Sequence, residues 1–498
     1  MIKRLDKTQI SRPIILITVG AVILSLLSAY ANKPAVIFSA GVILLALIFI
    51  FRHSKAAVLF TLITITALSV SIFSDFNIKS NTEKLIGEKI TGDFLVCSKT
   101  EMSGYNILDI RSLESNIDKK IRFCVISNDN INTGDKINAE IIIKSVEFGG
   151  YSNDIYVETR NCSVNSAVKY DSFLNLAGRL RKHIKNTLFN TLSYNEAATL
   201  CGILLGDKSM FSDEFSQAVI LVGVSHIMVV SGVHLSKIMG GIFKAVNLFS
   251  RNKYIKFVIV TGTVIFISAL CGFTTSILRA GIMYIVWSLS FLFERDSDSL
   301  CALCFTVLLI LIFSPFAVLN LSFELSVLST FGILVVAPFW TESLTEKFNI
   351  KNKVLIYLIS SVNVTVSALV FTLPICVYKF GGVSVISILS NLLISSVMTS
   401  ALVCTALALL VSVIPLFKIF APPLFLAGGI CAKYINYVIN ILSRPDWVYV
   451  EIDKKYAFLF AVAAFCLLFV TYACKRRKYL LKLKQSDMKV KERNGSHF

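Results

Sequence analysis

A chain of 498 residues that is 55% hydrophobic and only 16% charged is too apolar for a water-soluble fold, in which about a quarter of residues carry charge. Its formal net charge of +18 does not by itself mark a nucleic-acid binder. Residues 74–170 hold 12 Lys/Arg against 14 Asp/Glu, and much of the basic excess flanks apolar runs, as the positive-inside rule describes. The expected fold class is mainly α: a polytopic transmembrane helical bundle with a small inserted β-rich (OB-like) extracytoplasmic domain.

The runs Pro13 to Ala31, Pro34 to Phe51 and Ala56 to Phe73 approach or reach the ~18–20 residues that cross a bilayer core, so residues 1–73 read as three N-terminal transmembrane helices. Ala29-Tyr30-Ala31 looks like a signal-peptidase site. The apolar stretch before it is long for a signal peptide and further spans follow closely, so it is expected to stay uncut. Lys3, Arg4, Lys7 and Arg12 at one end and Lys475, Arg476, Arg477, Lys478, Lys482 and Lys484 at the other place both termini in the cytoplasm. Arg52 and Lys55 then lie in an inner loop, and the segment 74–170 lies outside.

Within that segment five β-rich runs are separated by turn residues: Lys89 to Cys97, Tyr105 to Ile110, Lys120 to Ile126, Lys136 to Ser145 and Asp154 to Cys162. Gly134-Asp135 and Gly149-Gly150 are the strongest turn signals, and five such strands suit an OB-type barrel or another small antiparallel domain. Cys97, Cys124 and Cys162 supply enough thiols for one disulfide and one free cysteine in an outer compartment, the pairing being undetermined. Cys301 and Cys304 fall in an apolar run and read as packing residues. Phe173, Leu176, Leu180, Ile184 and Leu188 recur at helical spacing among Arg179, Arg181, Lys182 and Lys185, so residues 171–196 read as an amphipathic basic helix. The reading favoured for it is contact with lipid head groups, ahead of contact with a polyanion.

Residues 197–474 read as a transmembrane region, with candidate spans at 217–248, 254–272, 277–293, 299–313, 316–339, 353–379, 383–413, 415–442 and 456–474, some of them re-entrant or split. The loop Ser443 to Lys455 should face outward, and 475–498 reads as a basic cytoplasmic tail, partly disordered.

The stretches Leu204-Leu205-Gly206-Asp207-Lys208-Ser209 and Gly223 to His234 place ionisable residues and a Ser-Gly pair inside an apolar region. Such groups are costly at membrane depth and mark a functional site by default. Asp207, Lys208, His226, Ser231, Gly232 and His234 are the candidates here, joined by Arg279 and Glu324, which pair or snorkel on the bland reading. His226 and His234 are eight apart, about 80° around an ideal helix, and together with Asp207 would be the ligands of an intramembrane metal hydrolase. That reading is weak, because no HExxH is present and Ser231 with a histidine lacks an orienting acid. Gly206-Asp207-Lys208-Ser209 does not have P-loop spacing. No catalytic residue, metal or cofactor is expected.

These same stretches resemble the ComEC family of competence proteins: Gly206 to Ser209 matches its LLGD(R/K)S segment, and Ser225-His226 through Ser231-Gly232-Val233-His234 its SHLLAISGLH pattern. Arg279-Ala280 resembles a span-starting RA, and Leu321 to Ser326 an FQLSF segment. The resemblance implies a non-enzymatic channel component that passes single-stranded DNA across the cytoplasmic membrane during natural transformation. Its partners would be single-stranded DNA, the lipid bilayer, a separate DNA receptor, an ATPase and a separate nuclease, with homo-oligomerisation left open. No HxHxDH motif is found, so strand degradation is expected to fall to another protein. Glu324 stands where the family usually has Gln, and a carboxylate in a polyanion path would repel its cargo; it is expected to be paired, protonated or off the path. Ser314-Pro315 replaces the common Asp-Pro. The main rival reading is a small-solute or lipid transporter with broken helices at the midplane.

Overall fold

A computed structural model describes residues 13–30, 33–51, 54–102, 105–113, 118, 120–127, 131, 134–148, 155–168, 173–226, 228, 232–250, 252–273, 275–294, 296–413 and 415–495. The chain is a mainly α multi-pass membrane protein. Among the described residues seven helical segments are long and apolar enough to cross a bilayer, and four shorter apolar helices accompany them.

Contacts divide the chain into two units. The first comprises Met1–Ser216, Ser225–Glu324 and Val397–Tyr437. It opens with α1 (Pro13–Tyr30), α2 (Lys33–Phe51) and α3 (Lys55–Glu83). α2 is apolar on every face, as a helix with lipid around it should be. Most hydroxyls within these helices fold back onto their own turns, as Thr61 does to the Ala57 carbonyl at 2.7 Å, which satisfies the donor inside the apolar region; among the described residues the buried Ser25 hydroxyl of α1 is an exception.

The third helix does not stop at Phe73. It continues to Glu83 because Asp75, nearly buried, accepts a 2.6 Å ion pair from Lys120, and Ile78 packs on the β-domain core. The strands β1 (Lys89–Met102), β2 (Tyr105–Ser112), β3 (Ile121–Ser127), β4 (Lys136–Phe148) and β5 (Ile155–Val168) form a closed barrel in the order β1-β2-β3-β5-β4. The β3–β5 pairing is parallel and the others are antiparallel. Alternation drives this: Phe94 and Val96, Leu108 and Ile110, Phe123 and Val125, and Ile137 to Ile143 at every second residue fill one interior. Cys97 and Cys124 are free thiols, so the disulfide allowed for in this domain is not formed between them; the Cys162 side chain lies outside the described residues. Cys97 instead meets the Arg122 guanidinium.

After the barrel come α4 (Phe173–Thr191), α5 (Tyr194–Leu205) and α6 (Asp213–Leu221). The expected span 217–248 is a correction: it is not one helix. α6 ends at Leu221, Gly223 turns with φ +77°, and a new helix, α7, runs over Gly232–Phe249. α8 (Lys253–Leu270), α9 (Thr275–Leu292) and α10 (Ser299–Phe313) follow. Leu235 and Met239 of α7 interlock with Val260 and Val264 of α8 and Ile277 and Ala280 of α9. At the far end of this trio Lys253 pairs with Glu294, and the buried Lys256 ammonium sits over the rings of Phe243 and Phe291, at 5.9 and 5.5 Å, which replaces some of its lost hydration.

The second unit comprises Gln217–Val224, Leu325–Ser396 and Val438–Phe498. It contains most of α11 (Leu321–Val335), then α12 (Ala337–Lys347), α13 (Lys353–Phe380), β6 (Gly382–Ser384), the start of α14 (Ser387–Val413), the end of α15 (Ala421–Leu442), β7 (Tyr449–Glu451) and α16 (Ala457–Gly495). β6 and β7 pair antiparallel. Ser390 donates to the Val222 carbonyl at 2.9 Å, which satisfies backbone freed where α6 breaks. Trp340 Nε1 donates to Thr471 at 3.1 Å and Lys475 Nζ to the Val335 carbonyl at 2.9 Å. The tail expected to be partly disordered is helical to Gly495, as a continuation of α16.

Candidate functional site

The first motif closes α5. Gly206 takes the left-handed conformation (φ +71°), and its N–H meets the Cys201 and Gly202 carbonyls, an ending that glycine makes without steric cost. Asp207 follows. Its Oδ1 accepts from the Ser209 N–H (3.1 Å) and hydroxyl (2.6 Å), while Oδ2 lies 3.3 Å from Arg181 and 3.8 Å from Lys185 of α4. Burial pushes this carboxyl upward, but Arg181, the Ser209 bonds and Lys185 together outweigh it and hold it below the usual carboxylate range. The basic helix α4 therefore turns two of its four cations inward, Arg181 also lying 3.5 Å from the Leu270 carbonyl at the end of α8, where a helix dipole favours positive charge. Arg179 and Lys182 stay exposed.

α5 is itself fixed by Thr199, which donates to Asn436 Oδ1 on α15 at 2.7 Å, and by Asn436, which donates to the Asn195 carbonyl at 3.2 Å.

The second motif packs on the first. Lys208 Nζ reaches the Ser225 carbonyl at 3.5 Å. A Cβ built on Gly202 would fall 2.9 Å from the Met228 carbonyl and 2.8 Å from the Phe211 ring, so only glycine permits this approach. The third motif joins at the start of α7, where a Cβ on Gly232 would lie 3.1 Å from Ala280 Cβ and 3.2 Å from Arg279 Nη2. Arg279 is 7% exposed. Asp207, Lys208, Gly232 and Arg279 thus belong to one consolidated region, with α5 and the start of α7 at its centre.

The other candidates are placed differently. His226 is exposed in the turn before α7 and is not on the helix that carries His234, so the shared-face geometry expected for the two histidines does not hold. Ser231 and the His234 side chain lie outside the described residues. Among the described residues no group of three or more His, Cys, Asp or Glu could hold a metal ion. Glu324 is half-buried in the first turn of α11, where the dipole favours a carboxylate, and Asn320 caps that turn through the Ser322 and Phe323 N–H groups.

Two residues escaped the sequence reading: Lys237 and Lys244 of α7, both exposed. Lys237 Nζ donates to Thr399 of α14. Their signal was present as cations seven residues apart inside an apolar run, but it was averaged away within a single expected span.

A sequence model of the Competence protein family matches residues 203–478, more than half of the chain, including every motif above. The chain belongs to this family. It is 24% identical over 312 residues to ComE operon protein 3 of Bacillus subtilis (strain 168), covering 62% of this chain and 38% of that protein. It is 26% identical over 250 residues to an uncharacterized protein of Aquifex aeolicus (strain VF5), covering 50% of this chain and 55% of that one. The chain therefore spans well under two thirds of the length of either relative. No solved structure matches.

Proposed function

We propose that this protein is a channel component that passes single-stranded DNA across the cytoplasmic membrane during natural transformation, acting as a conduit and not as an enzyme. The observation that carries this reading is the family match over residues 203–478, which coincides with the helices that the three motifs bring together. A strand crossing a bilayer needs a water-filled route with donors for phosphates, and broken helices are tolerated at membrane depth only where backbone is buried in protein or lines a cavity. The break between α6 and α7 fits that requirement.

The proposed orientation has both termini in the cytoplasm and the barrel outside. It is supported by α4, which follows the barrel and meets the Leu270 end of α8, while the basic loop at Lys253 lies at the opposite end of the same helix. The barrel, whose strand order suits an OB-type fold, would serve as an entrance or assembly module, with a separate receptor, ATPase and nuclease acting around the conduit. The break before α7 favours one rival, a small-solute or lipid transporter.

The test is uptake of end-labelled duplex DNA by cells lacking this protein, complemented with the wild type or Arg279→Ala, scoring surface-bound and nuclease-protected label separately. Loss of protected label alone in the deletion strain, restored by wild type, supports the conduit. Unchanged protected label would move the solute transporter ahead.

A further inference from the structure

α7 has a length of about 27 Å at 1.5 Å per residue, close to the ~30 Å of bilayer hydrocarbon, yet it is not among the helices whose length and composition suffice to cross a membrane. Its two sides explain why. Leu235 and Met239 are fully buried against α8 and α9. Lys237, Gly241 and Lys244 are exposed, and at 100° per residue they share a sector of about 60°. A Cβ built on Gly240 or Gly241 would meet nothing within 4 Å, so open space runs beside the middle of the helix.

Among the described residues neither lysine has a carboxylate within 4 Å. Lys237 has the Thr399 hydroxyl, which solvates an ammonium without neutralising it. Cations facing hydrocarbon are costly, so this face needs water or an anion. A second copy of the same face would set like charges against each other. One small anion is also a poor fit, since the lysines are seven residues or about 10 Å apart along the axis, too far to grip it jointly.

We propose that the Lys237–Gly241–Lys244 face of α7 is a wall of the conduit, where successive phosphates of a single polynucleotide strand meet the two ammonium groups in turn and the paired glycines leave room for sugar and base. This inference rests on the DNA reading above and adds the residues that contact the cargo. It also gives the strand a direction, from the Gly232 end beside the motif cluster to the Phe249 end near Lys253.

The experiment uses the full chain in cells. Gly241→Cys is treated with membrane-impermeant anionic and cationic thiosulfonates, with and without an oligothymidylate, the parent chain giving the background from its native cysteines. Labelling several-fold above the parent, faster with the anionic reagent and slowed by the oligonucleotide, is expected. In parallel, Lys237→Gln/Lys244→Gln should lower nuclease-protected DNA at least about ten-fold at normal protein level, while Lys237→Arg/Lys244→Arg should stay within about two-fold. Labelling of Gly241→Cys no greater than the parent, or normal uptake by the glutamine variant in a strain whose deletion abolishes uptake, overturns the wall and leaves the DNA reading intact. Unchanged uptake in the deletion strain overturns the DNA reading itself, and the wall falls with it.

Discussion

The corner between α4 and α5 and the open face of α7 both carry charge in an apolar protein, and they handle it in opposite ways. At the corner, Asp207 answers Arg181, Lys185 and Ser209, and Gly202 is pressed between the Phe211 ring and the Met228 backbone. On α7, Lys237 has only the Thr399 hydroxyl among the described residues, and Gly241 faces space. An ionisable residue in an apolar protein is therefore not in itself evidence of a path. The position of its countercharge decides: closed charge holds the framework, and open charge is free to meet something that passes.

The sharpest way to break this contrast is Asp207→Ala. It removes the carboxylate that Arg181 and Lys185, both largely withdrawn from solvent, share, and should cost about 2–4 kcal/mol, read as a lower unfolding temperature of the purified protein in detergent. The pH dependence follows from the sign of the shift. Because the folded carboxyl titrates below its ordinary value, its stabilisation is complete above about pH 4 and drains away as pH falls through the lowered folded value. The variant should lose that acid-sensitive component, its unfolding temperature converging on the wild type's at low pH. A variant as stable as wild type at neutral pH would show that the corner is not a closed charge cluster.

The sequence made much of this fold legible wherever the cause is local. Alternating residues such as Phe94 and Val96 located the first barrel strand at its observed start, and long apolar runs located the first three helices. It failed where the cause is distant. The extension of α3 depends on Lys120, 45 residues beyond Asp75, and the break at Gly223 depends on Ser384 and Ser387, whose Cβ atoms would each lie 2.8 Å from a Cβ at that glycine. The apolar run Ala218 to Val224 hides that break from any reading that averages over a span. At the site, Asp207 and Arg279 were conspicuous because they are ionisable, but Asp207's partners were not visible, and Lys237 and Lys244 were lost in the same average that hid the break.

Glycines sharpen the contrast at smaller scale. Gly202→Ala places a methyl within 2.9 Å of the Met228 carbonyl. Backbone cannot yield as a side chain can, so a loss of about 1–3 kcal/mol is expected from overpacking, with displacement of the second motif reported by lower yield of folded protein. Gly241→Ala is the converse. Its added methyl meets nothing within 4 Å, and alanine favours an exposed helix over glycine by up to about 1 kcal/mol, so the unfolding temperature should hold or rise slightly. One methyl is too small to fill the open space, so uptake should change little, whereas Gly241→Leu should keep its stability and lose transport. That separation of stability from transport is the signature of a wall. Packing against a second helix or a second copy would make both variants lose stability together, and the open face of α7 would then be an interface.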